Sequence, residues 1–318
     1  MTAPVMAPPA PGGVALPRRG RRPRRRSSLS RRRTRLGVLM VLPAAAMLGL
    51  FFLWPLVQTV RMSFYDWPML GEHTWVGLQN YTDALGDEDF LAAVGFTLRY
   101  TLIATPLLFV VALVLALLVR RGTRAARAFQ TVYFIPVVIG MAAASYLWMY
   151  LFQPDLGPAS ALGERAGLLD ASQNYFATFT SALVVVLAMV TWKVVGLQML
   201  LLSSGLQSIP VEVNEAARID GASRWQAFRH ITLPLLRPTL ALVLVFSVAG
   251  SLLAFDQFFI MTSGGPNNST ITAVFQTYRT SFIQFELGAG AAMSVLLMVA
   301  LAAVSALQML LLRNTDNA

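Results

Sequence analysis

No cysteine occurs in the 318 residues, and lysine and histidine are nearly missing too, with Lys193, His73 and His230 as their whole complement. Without thiols there is no disulfide framework, no thiolate metal site and no cysteine nucleophile. Two separated histidines do not build the multi-ligand site a transition metal needs, so no metal and no cofactor is expected. A phosphate-cradling loop requires Gly-x-x-x-x-Gly-Lys followed by Ser or Thr. The single lysine instead follows Trp192 inside an apolar run, so ATP cannot be held that way. Ser, His and Asp occur without a nucleophile motif, and no enzyme is expected. Charge is scarce as well: charged residues make up 13% of the chain against 56% hydrophobic ones, and the mean hydropathy is +0.61. A soluble core of this size does not need that balance, and a membrane does.

The net charge of +10 is local, because 11 of the 25 basic residues are arginines between Arg18 and Arg35. Residues 1–35 hold almost no large apolar side chain and cannot offset their ordering entropy, which predicts a disordered tail. Membrane phospholipid headgroups attract such a run; nucleic acid is the weaker alternative and is not the expected partner. The apolar segment that follows runs well past the roughly 7 to 15 residues of a secretory signal core, so it reads as a first membrane span. Residues 36–318 form the membrane domain.

Hydrocarbon about 30 Å thick needs roughly 20 apolar residues in helical form. Six stretches qualify: from Leu36, from Tyr100, from Thr131 to Phe152, from Phe179, from about Pro238 to Met261, and from about Gly288 to Leu312. They are continuous rather than alternating, which predicts an all-α membrane protein of six transmembrane helices and not a barrel. The tail, the 120–130 and 205–237 loops and the C-terminus carry 20 basic residues, the three opposite connections only four. Both termini are therefore expected in the cytoplasm. Pro43, Pro106 and Pro136 permit kinks, and the small pairs Gly140/Ala144 and Gly290/Ser294 would let helices approach closely. No internal repeat divides the spans into similar halves, which weighs against an inverted-repeat carrier.

Between the fourth and fifth stretches lies a polar, orderly segment, EAARIDGASRWQAFRHITLP over 215–234. Pro210, Glu212 and Glu215 suit a helix start. Asp220-Gly221 breaks that helix, glycine taking the left-handed end position. Ser223 and Gln226 then read as a capping box for a second helix, with Trp225, Phe228 and Ile231 on one face and Pro234 as its stop. Two short helices at an angle form a knob that fits a groove on another protein. The alternative is an amphipathic segment lying at the headgroups.

Glu215-Ala216-Ala217, three residues, Gly221, nine residues, Ile231, one residue and Leu233-Pro234 resemble the cytoplasmic signature of membrane subunits of binding-protein-dependent ABC importers. GLQSIP at 205–210, IDGASRWQAF, VGLQNY at 76–81, SFYDW at 63–67 and TSGGPNNST at 262–270 resemble the carbohydrate-uptake branch, the maltose and glycerol-3-phosphate type of permease. The resemblance spans about residues 36–312. It implies the type I importer permease fold in a bacterial cell membrane. The implied partners are a second, different permease subunit, two cytoplasmic ATPase subunits that hydrolyse the ATP, and an external solute-binding protein. It also implies that Glu215, Ala216, Ala217, Asp220 and Gly221 form a docking turn for the ATPase, joined to the fifth span by Ile231, Leu233 and Pro234.

Ionisable groups inside hydrocarbon are costly and face a cavity or a partner. Lys193, near the middle of the fourth stretch, and Asp256 with Gln257, toward the outer end of the fifth, are candidates for the substrate pathway. Trp148 joins them as a ring able to stack on a sugar. Pairing with backbone or with the second permease is the competing reading for Lys193. A neutral sugar is the expected substrate and a glycerol phosphate the runner-up. The rival class is an ion-coupled secondary carrier using Lys193 and Asp256. Deleting residues 1–30 should leave transport unchanged, because that run offers no apolar face and Arg31, Arg32, Arg33 and Arg35 remain to orient the first span. Loss of transport at normal membrane abundance and topology would show that the tail has a specific partner.

Overall fold

The computed structural model describes residues 28–120, 123–167, 170 and 172–313. Most of the arginine tail lies outside them. Helix α1, Ser28–Leu48, takes in the end of the basic stretch, so the boundary expected at residue 35 falls within a helix. The chain separates after Pro55 into two units. In the first, α1 passes through a π-turn at Gly49–Leu53 toward α2, Trp54–Met62. The Trp54 N–H reaches back five residues to the Gly49 carbonyl, and Pro55 follows at once. A proline ring in a regular helix collides with the carbonyl four residues earlier. The wide turn moves that carbonyl aside, and the helix continues.

The second unit begins with a small hairpin, β1 (Tyr65–Asp66) and β2 (Thr74–Trp75), antiparallel with Tyr65 opposite Trp75. Helix α3, Gln79–Gly86, leads to α4, Glu88–Val119, whose first N–H groups are served by the Asp87 carboxylate, accepting from Asp89 N at 3.0 Å. At 32 residues α4 is about 48 Å long, more than a bilayer core requires. Then come α5 (Arg124–Val138), α6 (Met141–Leu151), α7 (Pro158–Arg165) and α8 (Phe179–Gln207). The polar connection holds α9 (Val211–Ile219), α10 (Arg224–Ala227) and α11 (Leu233–Leu235), followed by α12 (Arg237–Leu252), α13 (Ala273–Tyr278) and α14 (Leu287–Arg313).

Helices α4 and α8 are the spine. Two clusters form along them, one of Phe96, Tyr100 and Met189 with Phe258 of a later turn, the other of Ala116, Met199 and Leu202 with Val243 of α12. Four helices of the described residues are long and apolar enough to cross a membrane, and six spans result if each of two bent pairs counts as one. The first, second, fourth and sixth expected stretches are single crossings of this kind. The other two are not straight.

The third stretch breaks at Ile139–Gly140, where the backbone is extended, and α5 and α6 meet at 99°. Gly140 has no atom near the position a Cβ would take, so it serves the break rather than close packing as expected. Gly290 does pack closely, since a Cβ there would overlap the Ser281 hydroxyl. The fifth stretch does not run to Met261. Helix α12 ends at Leu252, Ala254 and Phe255 belong to no helix, and a separate π-turn covers Phe258–Thr262. The buried Thr272 hydroxyl donates to the Ala254 carbonyl at 2.7 Å, satisfying a group that a continued helix would have used. At its other end α12 turns 69° from the Arg224–Leu235 segment.

Helices α5 and α8 touch backbone to side at Gly196, where any Cβ would overlap the Tyr133 carbonyl. Gly196→Val should therefore prise them apart and cost about 1–3 kcal/mol. Gly86→Ala, with nothing within 4 Å, is the control. Thermal unfolding of the purified protein in detergent checks this, and equal midpoints for the two variants would contradict the close approach.

Candidate functional site

The knob is built by local rules. Glu212 sits in the first turn of α9, near the helix's positive end, with Pro210 as the residue that caps it. At the other end Gly221 has φ +79°, its N–H bonds the Arg218 carbonyl at 3.1 Å, and Ala222 N–H bonds the Ala217 carbonyl at 2.9 Å. This paired arrangement closes a helix and turns the chain sharply. Ser223 then opens α10 with the reciprocal pair the sequence predicts: Ser223 N–H to Gln226 Oε1 at 2.8 Å and Gln226 N–H to Ser223 Oγ at 3.3 Å. Rings of Trp225 and Phe228 lie 5.6 Å apart on one face.

Pro234 does not stop this helix. A π-turn at Phe228–Thr232 lets Leu233 N–H reach the Phe228 carbonyl, and α11 carries on through Pro234 to Leu235. The device is the one used before Pro55, and the true bend comes at Leu236, itself 1% exposed. Buried Thr232 and Leu236 fix the knob's base, with Ile231, Leu233 and Pro234 half-buried beside them. Glu215, Ala216, Asp220 and Gly221 are exposed and share the tip, whereas Ala217 is turned inward at 6% exposure. Sequence reasoning passed over Ile219, 86% exposed at the tip beside Asp220; a large apolar side chain in a polar turn was its signal.

The four pathway candidates do not gather into one site. Lys193 donates from Nζ to the Val137 carbonyl at 3.0 Å. That oxygen belongs to the last turn of α5, whose carbonyls have no helical partner once the chain breaks at Ile139. A cation at a helix C-terminus is also favoured by the helix dipole. Gln257 is buried. Trp148 packs 5.9 Å from Trp192 and stacks on Phe152 at 5.6 Å. Asp256 is half-buried just past the break, and no ion pair joins it to Lys193 among the described residues.

Residues 110–317 match the family model described as "Binding-protein-dependent transport system inner membrane component". The chain belongs to that family. It is 33% identical over 282 residues to the sn-glycerol-3-phosphate transport system permease protein UgpA of Agrobacterium fabrum, covering 86% of this chain and 93% of the relative. It is 32% identical over 267 residues to the multiple sugar-binding transport system permease protein MsmF of Streptococcus mutans, covering 84% and 91%. Among solved structures, a chain of a bacterial alginate ABC transporter in complex with its alginate pentasaccharide-bound periplasmic protein superposes with a TM-score of 0.79 at 21% identity, over 92% of this chain and 99% of that one. The chain is thus a multi-pass inner-membrane permease subunit of a binding-protein-dependent system.

Lys193→Met keeps the length of the side chain but leaves the Val137 carbonyl without a partner, at a cost of about 1–3 kcal/mol. Stability and membrane abundance should fall while the choice of transported substrate stays the same, and Lys193→Arg should restore both. Unchanged stability with altered substrate affinity would instead place Lys193 on the pathway.

Proposed function

We propose that the chain is one of two different permease subunits of an ABC importer for a sugar or polyol, with both termini in the cytoplasm. The observation that carries the reading is the self-capped, exposed knob over 211–235, whose tip residues are those of the importer signature. Glu215, Ala216, Asp220 and Gly221 meet a cleft on a cytoplasmic ATPase, Ala217 holds the turn from within, and Ile231, Leu233 and Pro234 tie the knob to α12. ATP is hydrolysed on the partner, since the chain has no phosphate-cradling loop. The substrate class is supported by the names of its relatives, sugar-binding and glycerol-phosphate permeases among them. A glycerol phosphate remains the second reading because of the glycerol-phosphate permease among them. The ion-coupled carrier loses support from the engagement of Lys193 with a backbone carbonyl instead of an acid.

Gly221→Pro cannot adopt φ +79° and removes the N–H that bonds Arg218, so the tip must open. Glu215→Ala removes the exposed carboxylate alone. Both variants should insert at normal levels, release the ATPase on purification and lose ATP-driven uptake. Wild-type ATPase stoichiometry with normal transport in both would refute the docking role. Uptake on an ion gradient in the presence of a nonhydrolysable ATP analogue would reject the importer class itself.

A further inference from the structure

The end of the bundle remote from the knob holds a second constructed feature. Past the break at 253–255, the π-turn Phe258–Thr262 packs against α6, and the loop after it leads into α13 and a π-turn at Arg279–Ile283. They enclose an open cleft of about 470 Å³, within the size range of small-molecule sites. Its wall is aromatic and held still. Phe259 stacks on Phe255 at 5.2 Å, meets Phe275 edge-on at 5.3 Å and Tyr278 at 5.4 Å, and keeps part of its ring open to the cleft. Tyr146 of α6 lines the opposite side.

Polar groups converge on the same space. Ser263 and Asn268 both take left-handed backbone conformations, φ +49° and +58°, which are uncommon outside glycine. Among the described residues neither side chain has a hydrogen-bond partner. Arg279 also lines the cleft, half-buried, with no carboxylate or carbonyl partner among the described residues. A partly desolvated guanidinium without a counter-charge is unfavourable, and its planar fork suits a carboxylate or phosphate. Neutral hydroxyls would satisfy its donors and leave its charge uncompensated.

Resting on the importer reading above, we propose that this cleft is a recognition site for an anionic carbohydrate or polyol, a sugar acid or a phosphorylated polyol, with Arg279 binding the anion, Ser263 and Asn268 the hydroxyls, and Phe259 and Tyr146 the carbon skeleton. It departs from the neutral sugar first expected, because Arg279, which lies outside all six stretches, adds a cation that the spans themselves do not hold.

The test uses the whole complex with its binding protein in proteoliposomes of phosphatidylcholine, with and without phosphatidylglycerol. Uptake of sn-glycerol-3-phosphate and glucuronate is compared with that of glycerol and maltose. An anionic probe should be carried, and Arg279→Gln should lower its uptake by about tenfold or more, the usual scale for losing a hydrogen bond to a charged group. Arg279→Lys should raise KM for the anion and retain kcat, and Arg165→Gln, an exposed charge on α7, should change nothing. If Arg279→Gln does not accumulate, the KM of the Lys variant decides: an unchanged value overturns the proposal. Transport of neutral probes alone, or of the anion at full rate by Arg279→Gln, overturns it and leaves the importer standing. A loss in Arg279→Gln that appears only with phosphatidylglycerol, and for neutral probes equally, assigns the cleft to a lipid headgroup. ATP-dependent uptake of none of the four probes would count against the sugar and polyol reading itself.

Discussion

A backbone carbonyl in hydrocarbon has no water to turn to, and that constraint governs where this chain is allowed to bend. Two interruptions in the bundle are matched by donors brought from elsewhere. The end of α5 is met by Lys193 from α8, and the unwound residue Ala254 is met by Thr272 from beyond the loop. At Pro55 the solution is internal, a π-turn that rearranges the ladder so that the helix survives its proline. A break without such a partner would cost several kcal/mol and would be lost to a straighter helix.

The knob escapes that constraint and obeys another. Lying among polar residues, it holds its shape through its own caps: the left-handed glycine at its centre, a reciprocal side-chain pair immediately after it, and a buried threonine and leucine at its base. The caps act between near neighbours, and only the base, where Leu236 is buried against α4 and α8, draws on distant parts of the chain, so the tip is ordered before any partner arrives. A docking element built this way loses little conformational entropy on binding.

The same division explains what could be read from the sequence. Residues 211–227 were legible almost to the hydrogen bond because Gly221, Ser223 and Gln226 act on near neighbours. Long apolar runs gave α4, α8 and α14 for the same reason. The bends at Ile139 and Leu253 were not legible, since the groups that permit them are 56 and 18 residues away. Pro234 misled because its effect depends on whether the preceding turn is α or π, a choice made by packing. Arg279 read as one more basic residue in an outer connection. Only the fold, which brings Tyr146 of α6, the 258–262 turn and Phe275 of α13 around one cleft, gives it a site, with no carboxylate partner among the described residues.

Helix α12 links the two functional ends. It is 16 residues long, about 24 Å of continuous hydrogen-bonded rod, bent away from the knob at one end and unwound at the other. A rod of that kind transmits displacement with little loss, because cores packed as tightly as the α4–α8–α12 cluster shift between discrete arrangements rather than deform gradually. If partner subunits move the knob, the bend at Leu236 must either flex or carry α12 with it, and burial of Leu236 opposes flexing. The far end then moves the non-helical residues 254–255, and with them Phe255, which stacks on Phe259 in the wall of the cleft. On the proposed reading, an ATPase at the knob and a ligand in the cleft would be coupled through this single helix. Their coupling energy is the difference in contacts that each makes in its two positions.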